Sequence, residues 1–450
     1  MPEFSLKNGL DLPIAGAAQG AVIDLPSPDT VAYAPTEFRG LAPRLIVREG
    51  ASVKVGTPLF HHKNDDRIVF RSPVSGTMEE VRRGARRVIT DVVVRVSGDE
   101  AEELPSWKIS DLSSISREEA LSAALGSGHW CALKTRPLDR MADPSATPQA
   151  ILVAATETGP LQPRAEHLMS DSDTEALQAA LYVLKAMTDG DVHFTTMAGY
   201  DGDAGASVAG AQRHRFSGPH PAGDPAVQVN HVSPPRAGGV VWTIRAWDAV
   251  ALGRTLLSGR FDAHRVYAAV GTGVVEPRLV RTVLGAPLAH IVGESRSGCR
   301  WIRGSVLTGE AVDEGRWASY HSRAVHVLPE EVTRDIMGWA TPQLGTWSFY
   351  RAFMSGLLKS NKPQDFRPGL YGGHRAIVPI GIYKKVVATP DVLPEFLFKS
   401  IVAGDLEEAI QLGLLDFTQE EAALCSYICP SKIDFDCLLR EGLDLYERES

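Results

Sequence analysis

The N-terminal stretch alternates short apolar runs with Gly and Pro: Leu45-Ile-Val-Arg-Glu-Gly50, Pro58-Leu-Phe60, Ile68-Val-Phe70 and Val88 to Val96. Runs of that length between turn residues predict strands, so residues 1–98 read as an all-β domain. The period then changes. Ser116, with Glu119 three positions on, predicts a capped helix that Gly126 closes. Ala150 to Ala155 is a continuous apolar run, a buried strand; Asp173 to Met187 has a helical period, and Asp191 to Thr195 is strand-like again. Strand, helix, strand predicts a Rossmann-like α/β domain over 99–255. Residues 199–238, rich in Gly, Pro, Ala and His, read as loops ordered against other domains. From Val240 to Leu328 the texture is strand-rich. Candidate strands and turns lie at Ala289–Glu294, Arg296–Gly309 and Ala324–Leu328, with a helix over Glu276–Leu284; residues 256–328 read as a small mixed β-and-helix domain. Beyond Pro329 the pattern turns helical. Trp347, Tyr350, Met354 and Leu358 share one stripe, apolar helices follow at Val392–Val402 and Asp405–Gly413, and Asp405 and Thr418 serve as N-caps. Residues 329–450 form a helical domain.

Length and charge narrow the classes. A chain of 450 residues accommodates about three or four domains. A net charge of −9 without a Lys/Arg cluster argues against nucleic-acid binding. Five cysteines in so long a chain are not a disulfide framework and fit a reducing compartment. The start, Met-Pro-Glu-Phe-Ser-Leu-Lys, is no signal peptide, and no apolar run is long enough to span a membrane.

The candidate chemistry is mostly that of altered sites. Cys425-Ser-Tyr-Ile-Cys429-Pro430 is the second half of a ferredoxin run, Cys-x2-Cys-x2-Cys-x3-Cys-Pro. Counting back, the first two ligand positions hold Gln419 and Ala422, so Cys425 and Cys429 are remnants of a cluster motif. The segment Val47–Leu59 followed by Ser72-Pro73-Val-Ser-Gly76 resembles the biotinyl/lipoyl-carrier family, the barrel-sandwich hybrid. Its hairpin carries His61-His62-Lys63-Asn64, and Lys63 lacks the motif of a modified lysine. The loops Thr156–Pro160 and Gly271-Thr-Gly273 read as plain turns rather than phosphate cradles. His214, His220 and His231 have no metal-ligand spacing and read as surface residues. Arg296, Arg300 and Arg303 read as a solvated face.

Seven segments in collinear order carry a resemblance over nearly the whole chain. They are Asn8-Gly-Leu-Asp-Leu-Pro13-Ile-Ala-Gly16, Ser72-Pro-Val-Ser-Gly76-Thr, Lys134-Thr-Arg-Pro137, Pro277-Arg-Leu-Val-Arg281-Thr, Gly304-Ser-Val-Leu307, Arg375-Ala-Ile-Val-Pro379-Ile-Gly381 and Ala423-Leu-Cys425 to Lys432. The chain is similar to the A-subunit family of the Na+-translocating NADH:quinone reductase. It is also related in pattern to the C subunit of the Rnf complex and the flavin-binding subunit of complex I. The Gly-rich flavin loop of those relatives matches Gly128-His129-Trp130-Cys131-Ala132-Leu133-Lys134, where only Gly128 remains. The resemblance implies a multidomain α/β fold: a barrel-sandwich hybrid, a Rossmann-like domain, an SLBB-like β-grasp domain and a helical domain with a degenerate ferredoxin motif. It implies a peripheral subunit on the cytoplasmic face of the bacterial inner membrane, in a complex that reduces ubiquinone to ubiquinol and exports Na+. Five other subunits are expected, the membrane-embedded B subunit foremost. NADH, FMN, FAD and Fe–S centres are expected on those partners, with no cofactor, metal or catalytic residue in this chain and ubiquinone as a candidate ligand. His374, Arg375, Tyr383 and Tyr427, beside Trp347 and Phe353, are the candidates for a quinone region. The alternative is a flavin- or Fe–S-containing electron-transfer subunit of an Rnf-like complex.

Overall fold

The computed structural model describes residues 1–200, 209–236, 238–330, 347, 349, 362–366, 375–378 and 380–449. The predicted stripe at Tyr350, Met354 and Leu358, and the candidates Phe353 and His374, lie outside them.

The chain opens with strand β1 (Glu3–Ser5), which leaves the barrel and joins a distant sheet. The barrel proper has β2 (Thr30–Tyr33), β3 (Pro43–Leu45), β4 (Ser52–Val53), β5 (Pro58–His62), β6 (Asp65–Arg71), β7 (Gly76–Arg83) and β8 (Ile89–Val96). They form two facing sheets, one of β2, β8, β7 and β4, the other of β3, β5 and β6. Tyr33, Phe60 and Phe70 fill the space between, Phe60 and Phe70 stacked at 4.5 Å. Val92 and Val94 enter this core while Val93, on the opposite face, packs on Trp317. The alternation of a strand thus serves two cores at once.

Helix α1 (Arg117–Ser127) carries the capping box of Ser116 and Glu119. It runs past the predicted stop: Gly128, at φ +83°, closes it, and Gly126 is helical. Strand β9 (Lys134–Arg136) follows, then β10 (Ala150–Ala155), helix α2 (Thr174–Ala186), β11 (Asp191–Met197), β12 (Gln212–Ser217), α3 (Pro225–Val232), β13 (Val241–Arg245) and α4 (Ala246–Ser258). The central strands are parallel, in the order β1, β12, β11, β10, β13, with β9 antiparallel beside β13. All six residues of β10 are buried. Ile151, Val153 and Ala155 face the core that α2 and α4 share, and Ala150, Leu152 and Ala154 face Val229 of α3. A strand covered on both faces reads as one apolar run, which is why it stood out in the sequence. By contrast β12 and α3 lie where loops were expected, and α4 where strands were. Ten of the thirteen residues of α4 are buried, Asp248 and Thr255 among them, so packing covers nearly all of its surface. Gly253 lets it lie against α2: a Cβ there would meet the Ala176 carbonyl oxygen at 1.8 Å.

The third part has β14 (His264–Val270), β15 (Arg278–Val283), α5 (Leu288–Val292), β16 (Cys299–Arg303), β17 (Glu310–Val312) and β18 (Ala324–Pro329). Two expectations invert here. Arg278–Val283, inside the predicted helix, is a strand paired antiparallel to β14, and Leu288–Val292, overlapping the predicted strand, is a helix. Leu279, Val280 and Val283 fit a helical stripe, but the neighbouring strand supplies the hydrogen bonds that decide the matter. Arg303 is also not on a solvated face; it is buried between Glu37 of the barrel and Glu310. Arg300 is exposed and paired with Glu330.

The tail contains α6 (Pro394–Ala403), α7 (Leu406–Gln411), α8 (Gln419–Ile428) and α9 (Phe435–Glu449). Asp405 and Thr418 cap α7 and α8 as expected. The four helices share a core of Leu397, Phe398, Leu414, Phe417, Phe435 and Leu439. Among the described residues no helix is long and apolar enough to cross a membrane.

Candidate functional site

Helix α8 sets both cysteines. Thr418 and Glu421 form a reciprocal capping box that starts it, Cys425 lies in its last turns and Cys429 is its C-cap. Both thiols are fully buried in the tail's apolar core, and the Tyr383 hydroxyl donates to Cys429 Sγ at 3.2 Å. Burial holds the Cys425 thiol well above its ordinary pKa. The other two cluster positions are occupied structurally. Ala422 is buried, and Gln419 donates to Asp436 at 3.3 Å. These residues do not fit an iron–sulfur cluster. No group of three His, Cys, Asp or Glu among the described residues is placed to hold a metal.

The outer face of α8 is different. The Tyr427 ring lies 5.8 Å from Trp347 and 6.3 Å from Phe366, which are 6.1 Å from each other. The Lys432 ammonium sits 5.3 Å from the Tyr427 ring centroid and donates to the Tyr427 carbonyl. Burial raises the pKa of the Tyr427 hydroxyl and lowers that of Lys432. Arg375 Nη1 donates to the Ser431 carbonyl at 2.8 Å, beside this group. Of the six candidates, Trp347 and Tyr427 meet and Arg375 borders them. Tyr383 is buried beneath Cys429, away from that face. Three aromatic rings with a cation at their edge make a surface that a planar ring can stack on.

The Gly128–Lys134 loop is packed solid. A Cβ on Gly128 would meet the Arg71 side chain at 2.8 Å. His129 lies parallel to Phe261 at 4.8 Å and hydrogen-bonds Thr255 at 2.9 Å; burial pushes its pKa down to about 3. Trp130 is buried edge-on to Trp242, its indole N–H donating to the Ala142 carbonyl. Backbone amides here are screened from a phosphate by these side chains, so the loop does not fit a flavin. At the strand-order switch between β10 and β13, where open α/β sheets bind ligands, the chain again uses its own group. Glu157 Oε1 accepts from the amides of Thr158 and Gly159 at 2.9 and 2.7 Å. A carboxylate holds the amides a phosphate would need. In the barrel, Lys63 is exposed at the turn between β5 and β6.

One junction was not legible. His220 was expected at the surface, but it is 2% exposed. Its Nε2 meets Glu420 Oε2 of α8 at 3.2 Å, and its Nδ1 meets Thr158 Oγ1 at 3.2 Å. Its backbone amide donates to Asp11, and Thr308 of the β-grasp part donates to Glu420 at 2.9 Å. Burial pushes the His220 pKa down, but the Glu420 hydrogen bond and charge outweigh it, leaving it raised; Glu420 is correspondingly lowered against its own burial. Nearby Asp224 is pushed up to about 6 by burial. His214 is also buried, hydrogen-bonded to His193 at 3.0 Å, and His231 is half-buried. The available signal was the rigid frame Gly218-Pro219-His220-Pro221, which fixes a side chain that a mobile surface loop would not.

These parts define a class: a multidomain α/β protein with an N-terminal barrel-sandwich, in which the Gly128–Lys134 loop and the amides of Thr158 and Gly159 are covered by the protein's own side chains. The particular family follows from three domain models and from full-length relatives. Residues 4–97 match the model "NqrA N-terminal barrel-sandwich hybrid domain", 115–261 "NqrA second alpha/beta domain" and 266–314 "NQRA C-terminal domain", an SLBB model. The A subunit of the Na(+)-translocating NADH-quinone reductase of Neisseria meningitidis serogroup B is 36% identical over 451 residues, 99% of this chain and 100% of that protein. The A subunits of Photorhabdus laumondii and Serratia proteamaculans are 36% and 37% identical at the same coverages. The chain belongs to this A-subunit family and is part of the Na+-translocating NADH-quinone reductase, an oxidoreductase and translocase complex. Among solved structures, a chain of an NAD+-reducing [NiFe]-hydrogenase in the H2-reduced state aligns over 76% of this chain and 63% of its own, at 13% identity and a TM-score of 0.39, too distant to carry an argument.

Proposed function

We propose that the chain is the peripheral, cytoplasmic-face component of this complex and borders its quinone region without a redox centre of its own. The division 1–98, 99–255, 256–328 and 329–450, with a Rossmann-like second part, is the organisation we infer. In this reading the chain docks on membrane-embedded subunits, the B subunit foremost, within a complex of five further subunits that carry NADH, FMN, FAD and Fe–S centres. The quinone is ubiquinone, reduced to ubiquinol as Na+ is exported. The observation that carries the reading is the aromatic group of Trp347, Phe366 and Tyr427 with Lys432 and Arg375 at its edge. Quinone sites are apolar pockets with few polar groups that hydrogen-bond the ring oxygens. Phe353, His374 and Tyr383 are the remaining candidates; the Tyr383 hydroxyl donates to Cys429 Sγ beneath the aromatic group. Photolabelling the assembled complex with an azidoquinone, followed by peptide mapping, tests this. Label on the segments containing Trp347, Phe366 or Tyr427 is expected, and Tyr427→Ala should lower kcat/KM for quinone about tenfold, the loss of roughly 1.4 kcal/mol, with NADH oxidation by an artificial acceptor unchanged. Label confined to other subunits overturns it.

A further inference from the structure

One concentration of cations runs against the expectation drawn from the net charge of −9: Val81-Arg82-Arg83-Gly84-Ala85-Arg86-Arg87-Val88. It forms the turn that joins β7 to β8, and residues 81–90 contain four arginines and no carboxylate. The base of this hairpin is neutralised. Arg82 pairs with Glu80 and lies over the Trp317 ring at 4.7 Å; Asp91, opposite it in the ladder, pairs with Arg316, and Arg95 pairs with Glu79. Glu49 accepts from the Val81 amide at 2.7 Å, and Asp313 and Glu314 come in on the segment whose Arg316 meets Asp91. The tip beyond that rung is different. Arg83, Arg86 and Arg87 are exposed, and among the described residues no carboxylate pairs with them. Arg83 Nη1 donates instead to the Arg87 carbonyl at 3.3 Å. Val88, beside them, is 50% exposed. Arg86 and Arg87 also carry the chain round at φ +54° and +61°, a region that glycine or asparagine enters at lower cost than a long side chain. The turn thus accepts a backbone cost at the two positions where it presents cations.

Size and charge select what these cations meet. A tip of six residues is far too small for a stable protein interface, which takes about 800 Å2 from each partner. An anionic lipid surface sets no such minimum: each Lys or Arg near it strengthens binding about fivefold, and a guanidinium matches a phosphate with two parallel donors. Cations beside an exposed apolar residue, here Val88, are the composition of groups that lie at the boundary of headgroups and acyl chains. The chain as a whole is net negative and is repelled by the same surface, so the tip fixes which side approaches. We propose that the β7–β8 tip, Arg83, Arg86 and Arg87 with Val88, binds the phosphate headgroups of anionic phospholipids at the membrane surface. The proposal rests on the peripheral placement argued above and adds a contact with lipid and its chemistry.

Flotation of the full chain with protein-free vesicles tests this. Wild type should float with vesicles of equal parts phosphatidylcholine and phosphatidylglycerol and not with phosphatidylcholine alone. Raising the salt to about 1 M, where charges are screened within about 3 Å, should release it. The triple variant R83Q/R86G/R87G keeps the turn, since glycine suits the positive φ at 86 and 87. Its Tm should not fall, while its partition onto the anionic vesicles should drop about a hundredfold. Equal binding of wild type and a folded triple variant overturns the proposal, as does wild-type binding indifferent to phosphatidylglycerol. A wild-type chain that sediments with native membranes holding the complex but does not float with anionic vesicles also overturns it; the arginines would then serve an acidic protein segment, and the peripheral placement would stand. Failure to sediment with those native membranes refutes the placement on which the proposal rests.

Discussion

His220 shows how much one side chain can hold. Its ring joins Thr158 to Glu420 and its backbone amide joins Asp11 of the N-terminal strap, so three parts of the chain meet on one residue. Its pKa is raised on folding. The stability it adds is therefore fully present below the ordinary histidine value near 6.5 and is lost as pH rises through its higher folded value. Asp224, raised to about 6, acts in the same direction. Glu420 is lowered, so its share is present above the ordinary glutamate value near 4.3 and is lost as pH falls through its folded value. His220→Gln, measured by thermal unfolding, should cost roughly 3 kcal/mol near pH 6, the size expected for breaking a buried pair. The gap to wild type should narrow steadily as pH rises above 7. A gap independent of pH would mean that the ring acts through packing alone. The residue read as a loop histidine because its composition and spacing say nothing about Glu420, 200 positions away.

At the scale of elements, local signals worked where they are physically local. The capping box of α1 and the N-caps of α7 and α8 were legible because the bonding groups lie three residues apart. What the sequence did not reveal is that the cap of α8 is also a tertiary anchor. Buried Glu421 accepts from the amides of Ala388 and Thr389 and from the Thr389 and Thr418 hydroxyls. Burial raises its pKa against those donors. Glu421→Ala should cost roughly 3 kcal/mol, since it leaves buried donors without an acceptor. It should also speed hydrogen exchange at the amides of 388 and 389. Thr418→Ala, which removes chiefly the cap, should cost about 1 kcal/mol. Equal losses in the two variants would show that the link to 388–389 contributes nothing. Strand β15 and helix α4 were misread for opposite reasons. The first has apolar residues at helical spacing until β14 pairs with it, and the second is a mostly buried helix inside a stretch whose neighbours are strands.

For the whole molecule, the parts are tied by arginines that reach across their boundaries. Buried Arg136 donates to the carbonyls of Leu415, Asp416 and Phe417 in the tail; Arg303 joins the β-grasp part to Glu37, and Arg316 joins it to Asp91. Trp130 and Glu157 cover backbone in the α/β part, and Ala422 and Gln419 stand at the other two motif positions in the tail, each of them one of the protein's own side chains. The purified chain should therefore be colourless, with no absorbance in the flavin or iron–sulfur bands, and its intact mass should equal that of the sequence, Lys63 unmodified. Visible absorbance would favour the electron-transfer alternative, and added mass on Lys63 a carrier role.

The sequence by itself determined what depends on neighbours in the chain or on residue type: the barrel turns, the buried β10 run, the helix caps, the substituted cluster ligands at Gln419 and Ala422, and the family. Only the tertiary structure decided what depends on distant partners. It brought Tyr427 to Trp347 and Phe366, buried Tyr383 under Cys429 and paired Glu420 with His220. The division has a physical reason. Capping and turn formation are settled over three or four residues, where spacing is explicit, whereas burial and ion pairing are settled by the packing of elements, to which spacing along the chain is blind.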